Sequence, residues 1–227
     1  MAKTRKLIIV GDSAFAEIAY EYFTHDSRYE VAAFSVEHGF LKRESLFGLP
    51  VVPFESVEAD FSPDTHDIYV AITYTKLNRL RTRLLRQAKD KGYTPATYVS
   101  SRSFVWRNVI LGEHCFIFEN NVVQPFVQVG SNVVLWSGNH IGHHSVIGDN
   151  CFVASHAVIS GFVNIGPNSF VGVNATVSNN LTIGSDCILG AGSLVSKNIE
   201  DDRVIKGEVG EATGSARRLS RIAKDSI

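Results

Sequence analysis

The chain has 227 residues, a formal net charge of −1, 44% hydrophobic residues and three cysteines. Balanced charge argues against nucleic acid or an anionic membrane surface as the main partner. No apolar run approaches the roughly eighteen residues of a spanning helix, and MAKTRK leads straight into a strand pattern without a signal-peptide core. The expectation is a cytoplasmic protein with no membrane insertion.

In chain order, RKLIIVG (5–11) is a short apolar run ending in glycine, the pattern of a buried parallel strand. Asp12 or Ser13 can cap the helix AFAEIAYEYF that follows. Tyr29 to Phe34 reads as a second strand, LFGLPVVPF as a turn with a short strand, and DIYVAIT (67–73) as another buried strand. Residues 75–92 form a basic amphipathic helix ending at Gly92, and YTPATYV leads onward. The result is a Rossmann-like α/β domain over residues 1–95. Its glycine signal is thin, with Gly11 alone where a dinucleotide fingerprint has three. A phosphate would still suit the helix N-terminus, where unpaired N–H groups and the dipole favour an anion.

From Val99 to Val195 every sixth residue is Val, Ile or Leu, seventeen in a row. A period of six is neither helix nor ordinary strand; it is the hexapeptide repeat of a parallel β-helix, predicted over residues 96–200. Gly112, Gly130, Gly148, Gly166 and Gly184 recur every eighteen residues, so three hexapeptides make one coil of a triangular prism. Glycine at that corner suggests a tight turn. The fourth residue after each aliphatic also faces inward. Cys115, Val133, Cys151, Ser169 and Cys187 form one such column; Ser103, Asn121, Asn139, Ala157, Ala175 and Ser193 form another. The cysteines lie two coils apart, roughly 9 to 10 Å, beyond disulfide reach. They read as reduced core residues. Residues 201–227 are predicted to form a polar cap and a short basic helix, SARRLSRIAKDSI, over the last coil.

Five histidines fall in the repeat: His114, His140, His143, His144 and His156. With Ile141 pointing inward, His143 and His144 lie at a corner facing out, and His140 also faces outward. A neutral imidazole near pH 7 is a good general base. A zinc site of the γ-carbonic anhydrase kind needs two histidines five apart in one turn and a third two coils earlier, which these five do not supply. No metal is expected.

A Rossmann-like domain followed by NHIGHHSVIGDNCFVASHAVISGFVNIG closely resembles the sugar acetyltransferases of the NeuD and PglD kind, across the whole chain. The resemblance implies a left-handed β-helix, a homotrimer with active sites between subunits, acetyl-CoA as co-substrate, and a nucleotide-linked amino sugar or sialic acid as acceptor in bacterial surface glycan biosynthesis. The family's catalytic histidine, in an (E)H(E/D)CVIG motif, falls on His143, because SVIG here matches CVIG. The acidic residue that normally follows is His144, and Asn139 or His140 are candidates to orient the base in its place. A second family histidine, nine residues on, aligns with Phe152. Gly161 stacks one coil above His143 and offers its N–H to the thioester oxygen. Asn179, Gly190, Ala191 and Lys197 resemble the groove for the CoA arm. For the acceptor, Gly11, Asp12 and Ser13 match the family's first glycine turn. Ser35 and Glu37 fall where it has consecutive aspartates, and Tyr74 and Arg79 follow the third long strand. His140 and His156 complete the expected substrate contacts. The principal reading is N-acetylation by direct attack on the thioester, with O-acetylation needing the same base. The alternatives are a γ-carbonic-anhydrase-like metal hydratase and a non-catalytic trimeric scaffold that binds a sugar nucleotide.

Overall fold

A computed structural model describes residues 2–208 of the chain. The basic helix predicted over 215–227 lies outside the described residues, as does most of the predicted cap.

The N-terminal part is a six-stranded sheet: β1 (Arg5–Val10), β2 (Tyr29–Val36), β3 (Ser45–Leu46), β4 (Leu49–Pro53), β5 (His66–Val70) and β6 (Thr94–Pro95). Its order is β3-β4-β2-β1-β5-β6, parallel except for the β3–β4 hairpin. Helix α1 (Ala14–His25) follows β1, a four-residue helix α2 (Val57–Asp60) precedes β5, and α3 (Arg79–Asp90) follows it. The strand order reverses between β1 and β5, where open α/β sheets place their ligands. Helix α3 starts four residues later than the sequence pattern suggests. Lys76, Leu77 and Asn78 have φ near 50–63°, a left-handed turn that postpones the right-handed helix.

From Tyr98 the chain winds as a prism of two-residue strands in three parallel sheets of seven, six and five strands. Between Tyr98 and Val195 each paired residue lies eighteen positions from its partner, as in Ile117↔Leu135 and Val123↔Ile141. The aliphatic ladder from Ile117 to Val195 is buried throughout, together with the columns holding Cys115, Cys151, Cys187, Asn121 and Asn139. Each aliphatic side chain of the ladder contributes about 1.5–3 kcal/mol by leaving water. The three cysteines are free and buried, and burial pushes the Cys115 and Cys151 thiols up to about 12.

The corner glycines have a different cause from the one the spacing suggests. Gly112, Gly130, Gly148, Gly166 and Gly184 do not have positive φ; a Cβ on any of them would meet backbone or side-chain atoms of the next coil at 2.4–2.7 Å. They permit close coil stacking. The left-handed residues are instead those three places after each aliphatic from Leu111 to Leu189: His114, Asn120, Phe126, Asn132, Gly138, His144, Asn150, His156, Phe162 and onward. Asn, Asp and Gly are the residues that take this conformation at least cost.

The α/β part docks on one face of the prism. The outward residues of that face, Tyr98, Phe116, Val134 and Phe152, share one core with Phe15, Phe23 and Tyr69.

Candidate active site

Four of the residues singled out for chemistry, His143, Gly161, Asn179 and Lys197, fall on one corner column. Pro125, His143, Gly161, Asn179 and Lys197 follow one another at eighteen-residue steps, one per coil. His143 and His144 are both exposed, as their places in the repeat require. The His143 N–H donates to Gln124 Oε1 at 2.9 Å, and its carbonyl accepts from the Phe162 N–H at 2.9 Å, so the backbone is held from both neighbouring coils. The imidazole lies over Gly161. A Cβ there would approach the ring at Cε1 (2.8 Å) and Nε2 (2.9 Å). Glycine at 161 therefore makes room for the ring. Among the described residues the Gly161 N–H has no hydrogen-bond acceptor, leaving a donor beside His143 Nε2. The His143 and His144 Nδ1 atoms are 3.1 Å apart. No carboxylate among the described residues bonds either ring.

Several expected contacts are not brought to this place. Asn139 is fully buried; its Nδ2 donates to the Trp136 carbonyl at 2.6 Å and its Oδ1 accepts from the Ala157 N–H at 2.8 Å. Its amide is spent tying coils together and cannot orient His143. His140 is half-buried on the strand His140–Ile141, and His156 sits at the third corner, two hexapeptides on, with its ring against Gly138. Gly190 and Ala191 occupy that other corner too. Gly190 is also overlaid by residues 205–207, its N–H donating to the Ile205 carbonyl at 2.7 Å. Asn179 and Lys197 remain exposed in the His143 column. Among the described residues no group of three His, Cys, Asp or Glu side chains is arranged to hold a metal ion, and no helix is long and apolar enough to cross a membrane.

At the switch point of the α/β sheet, Gly11, Asp12, Ser13 and Glu37 line a cavity of about 160 Å³ with an apolar floor of Ile72, Leu80 and Leu84. Gly11 has φ +119°, and a Cβ would lie 3.0 Å from the Ala71 carbonyl oxygen. Ser13 heads α1 with its side chain exposed and not used as a cap. The two acids are already paired: Asp12 lies 3.4 Å from Arg43, and Glu37 takes two 2.9 Å bonds from Arg83. Those bonds hold the Glu37 carboxyl below its usual range. Ser35 departs from expectation, being fully buried within β2. Tyr74 and Arg79 do not line this crevice either. The left-handed turn directs them at the prism, where Tyr74 packs on Phe152 and Phe170 and Arg79 pairs with Asp186.

A polar cluster that the sequence did not announce joins the two parts. Arg81 of α3 is fully buried, donating through Nε to Asn132 Oδ1 (2.9 Å) and through Nη2 to the Asn132 carbonyl (2.6 Å). His114 Nδ1 is 2.8 Å from the same Oδ1, and its Nε2 accepts from the Val70 N–H at 2.8 Å. An acceptor on one side and a donor on the other fix a neutral Nδ1–H tautomer. Burial, aided by Arg81, pushes the imidazole down to about 3. His114 is thus a joint between the two parts, away from the exposed histidines. The visible signal was the apolar outward column of that face, Tyr98, Phe116, Val134, Phe152 and Phe170, which marks a docked surface.

No curated protein sequence matches the chain. Residues 126–161 and 162–197 match the family "Bacterial transferase hexapeptide (six repeats)". Among solved structures, the acetyltransferase domain of PglB from Neisseria gonorrhoeae FA1090 is 23% identical, with 90% of this chain and 97% of that one covered and a TM-score of 0.80. PerB from Caulobacter crescentus, in complex with CoA and GDP-perosamine, is 25% identical over 89% of this chain and 94% of that one, with a TM-score of 0.78. WeeI from Acinetobacter baumannii AYE is 21% identical over 90% and 97%, with a TM-score of 0.70. Residues 126–197 therefore match the bacterial transferase hexapeptide repeat, set in a chain that has a left-handed β-helix fold and is similar to these three structures along nine-tenths of its length.

Proposed function

We propose that this chain is an acetyl-CoA-dependent acetyltransferase acting on a nucleotide-linked amino sugar, as in bacterial surface glycan assembly, with His143 as general base. One observation carries the reading: an exposed imidazole whose Cε1–Nε2 side lies against Gly161, next to an N–H without an acceptor. The acceptor amine attacks the thioester carbonyl carbon, and its proton moves to His143 Nε2. The Gly161 N–H stabilises the oxyanion of the tetrahedral intermediate. Collapse breaks the C–S bond, and the proton passes from His143 to the departing sulfur of CoA. Asn179 and Lys197, one and two coils above Gly161, are placed to meet the CoA arm. The nucleotide sits at Gly11, Asp12 and Ser13, as it would at the switch point of a doubly wound sheet.

The active assembly is a homotrimer. The prism faces left open by the α/β part expose Phe104, Trp106, Ile110, Val158 and Leu194, the last 68% accessible. Large exposed apolar side chains on those faces fit an interface between copies of the chain. The likeness to PerB, whose structure holds CoA and GDP-perosamine, supports both the donor and the acceptor class.

The test is CoA release from acetyl-CoA in the presence of UDP-, dTDP-, CMP- and GDP-linked sugars, with mass spectrometry separating amide from ester products. His143→Ala should lower turnover by about 10²–10⁴-fold while CoA still raises the melting temperature. Turnover unchanged by that substitution overturns the reading.

A further inference from the structure

The residue following the proposed base has surroundings that a solvated corner side chain lacks. His144 is left-handed, with φ 59°, like every residue at its place in the hexapeptide from His114 to Gly192. From His114 to Gly192 those places hold Asn, Asp, His or Gly, with two exceptions: Phe126 (φ 65°) and Phe162 (φ 58°). These lie one coil below and one coil above His144. Their rings sandwich its imidazole, with centroids 4.6 and 4.8 Å away and interplanar angles of 25° and 16°. A bulky side chain is strained in this conformation, and strain held in place by its surroundings gathers at functional sites. The sandwich fixes the plane of the His144 ring and aims its Nδ1 at His143 Nδ1, 3.1 Å away. At that distance one Nδ1 donates and the other accepts.

We propose that His144 is a positioning residue that sets the tautomer of His143, an inference that rests on His143 being the base. His143 Nδ1–H donates to His144 Nδ1, His144 carries its own proton on Nε2, and His143 Nε2 is left with its lone pair open beside Gly161. An imidazole clamped between two phenyl faces does the work of an orienting carboxylate.

Long-range ¹H–¹⁵N correlation spectra of the histidine-labelled full chain read the tautomers without any substitution. The expected result is Nδ1–H for His143 and Nε2–H for His144; an Nε2–H His143 overturns the proposal. Kinetics with whichever nucleotide sugar releases CoA give the second readout. His144→Phe should lower kcat by about 10–100-fold with the KM for acetyl-CoA within about twofold, and His144→Glu, which returns an acceptor, should recover most of the loss. Phe162→Asn should also lower kcat, with an unchanged melting temperature. Wild-type kcat in His144→Phe alongside an inactive His143→Ala overturns the positioning role and leaves the base in place. An active His143→Ala would instead remove the base itself.

Discussion

Two corners of the prism use the same backbone conformation for opposite ends. At the corner beneath α3, the left-handed column is His114, Asn132, Asn150, Asn168 and Asp186. Its amides form a ladder, with Asn132 Nδ2 donating to Asn150 Oδ1 at 2.8 Å and Asn150 Nδ2 to Asn168 Oδ1 at 3.2 Å. Here the side chains suit the conformation and the corner is covered. At the other corner the column is Phe126, His144, Phe162 and Asn180, where aromatic rings occupy strained positions around an exposed histidine pair. A repeat fixes geometry and leaves content free. The first corner uses that freedom to join two parts of the molecule, the second to hold an imidazole still.

The contrast is most sharply broken at Asn132. Asn132→Ala removes the shared acceptor of Arg81 and His114 and puts alanine in a left-handed position. Unfolding in urea should show a loss of about 3 kcal/mol. A loss under about 1 kcal/mol would mean that the covered corner is no joint.

Gly161→Ala probes the open corner. The added methyl meets the His143 ring at 2.8–2.9 Å, and a base displaced by about 1 Å can cost on the order of a hundredfold in rate. The expected outcome is that loss in kcat with little change in the urea midpoint, the reverse of Asn132→Ala.

Over the range from pH 7 to pH 5, His114 supplies the smallest effect, read as pH dependence. Its folded pKa is pushed down to about 3, against about 6.5 in the unfolded chain. Between those values the unfolded chain binds a proton that the folded chain refuses. Its contribution is therefore complete above pH of about 6.5 and declines as pH falls toward about 3, with a slope of about 1.4 kcal/mol per pH unit. His114→Asn, which keeps a residue suited to the left-handed region, should flatten that slope in urea melts run between pH 7 and pH 5.

Much of this was legible because the period of the prism ties sequence position to direction. The aliphatic ladder, the buried cysteines, the outward His143 and His144, and Gly161 one coil above all follow from counting by six and eighteen. What escaped depends on contacts across long separations. Nothing in a basic amphipathic helix distinguishes Arg81, which inserts into the prism 51 residues ahead, from Arg83, which pairs with Glu37. The left-handed turn at Lys76–Asn78 redirected Tyr74 and Arg79 for the same reason. Asn139 does not orient the base, as its inward-pointing column already implies; a buried amide bonds its own coils before it reaches a neighbour's ring.

The eighteen-residue register also governs how such a chain can change length. Removing or adding one residue inside the prism would turn every later side chain toward a different wall and break the alignment of His143, Gly161, Asn179 and Lys197. Removing or adding a whole coil would leave each corner's alignment intact and merely shorten or lengthen the column by roughly 4.8 Å. Within the regular coils from Tyr98 to Val195 the alignment therefore advances only in whole-coil steps. The spacing between the imidazole and any group above it along the edge comes in fixed increments, a ruler against which a long, flexible donor is measured.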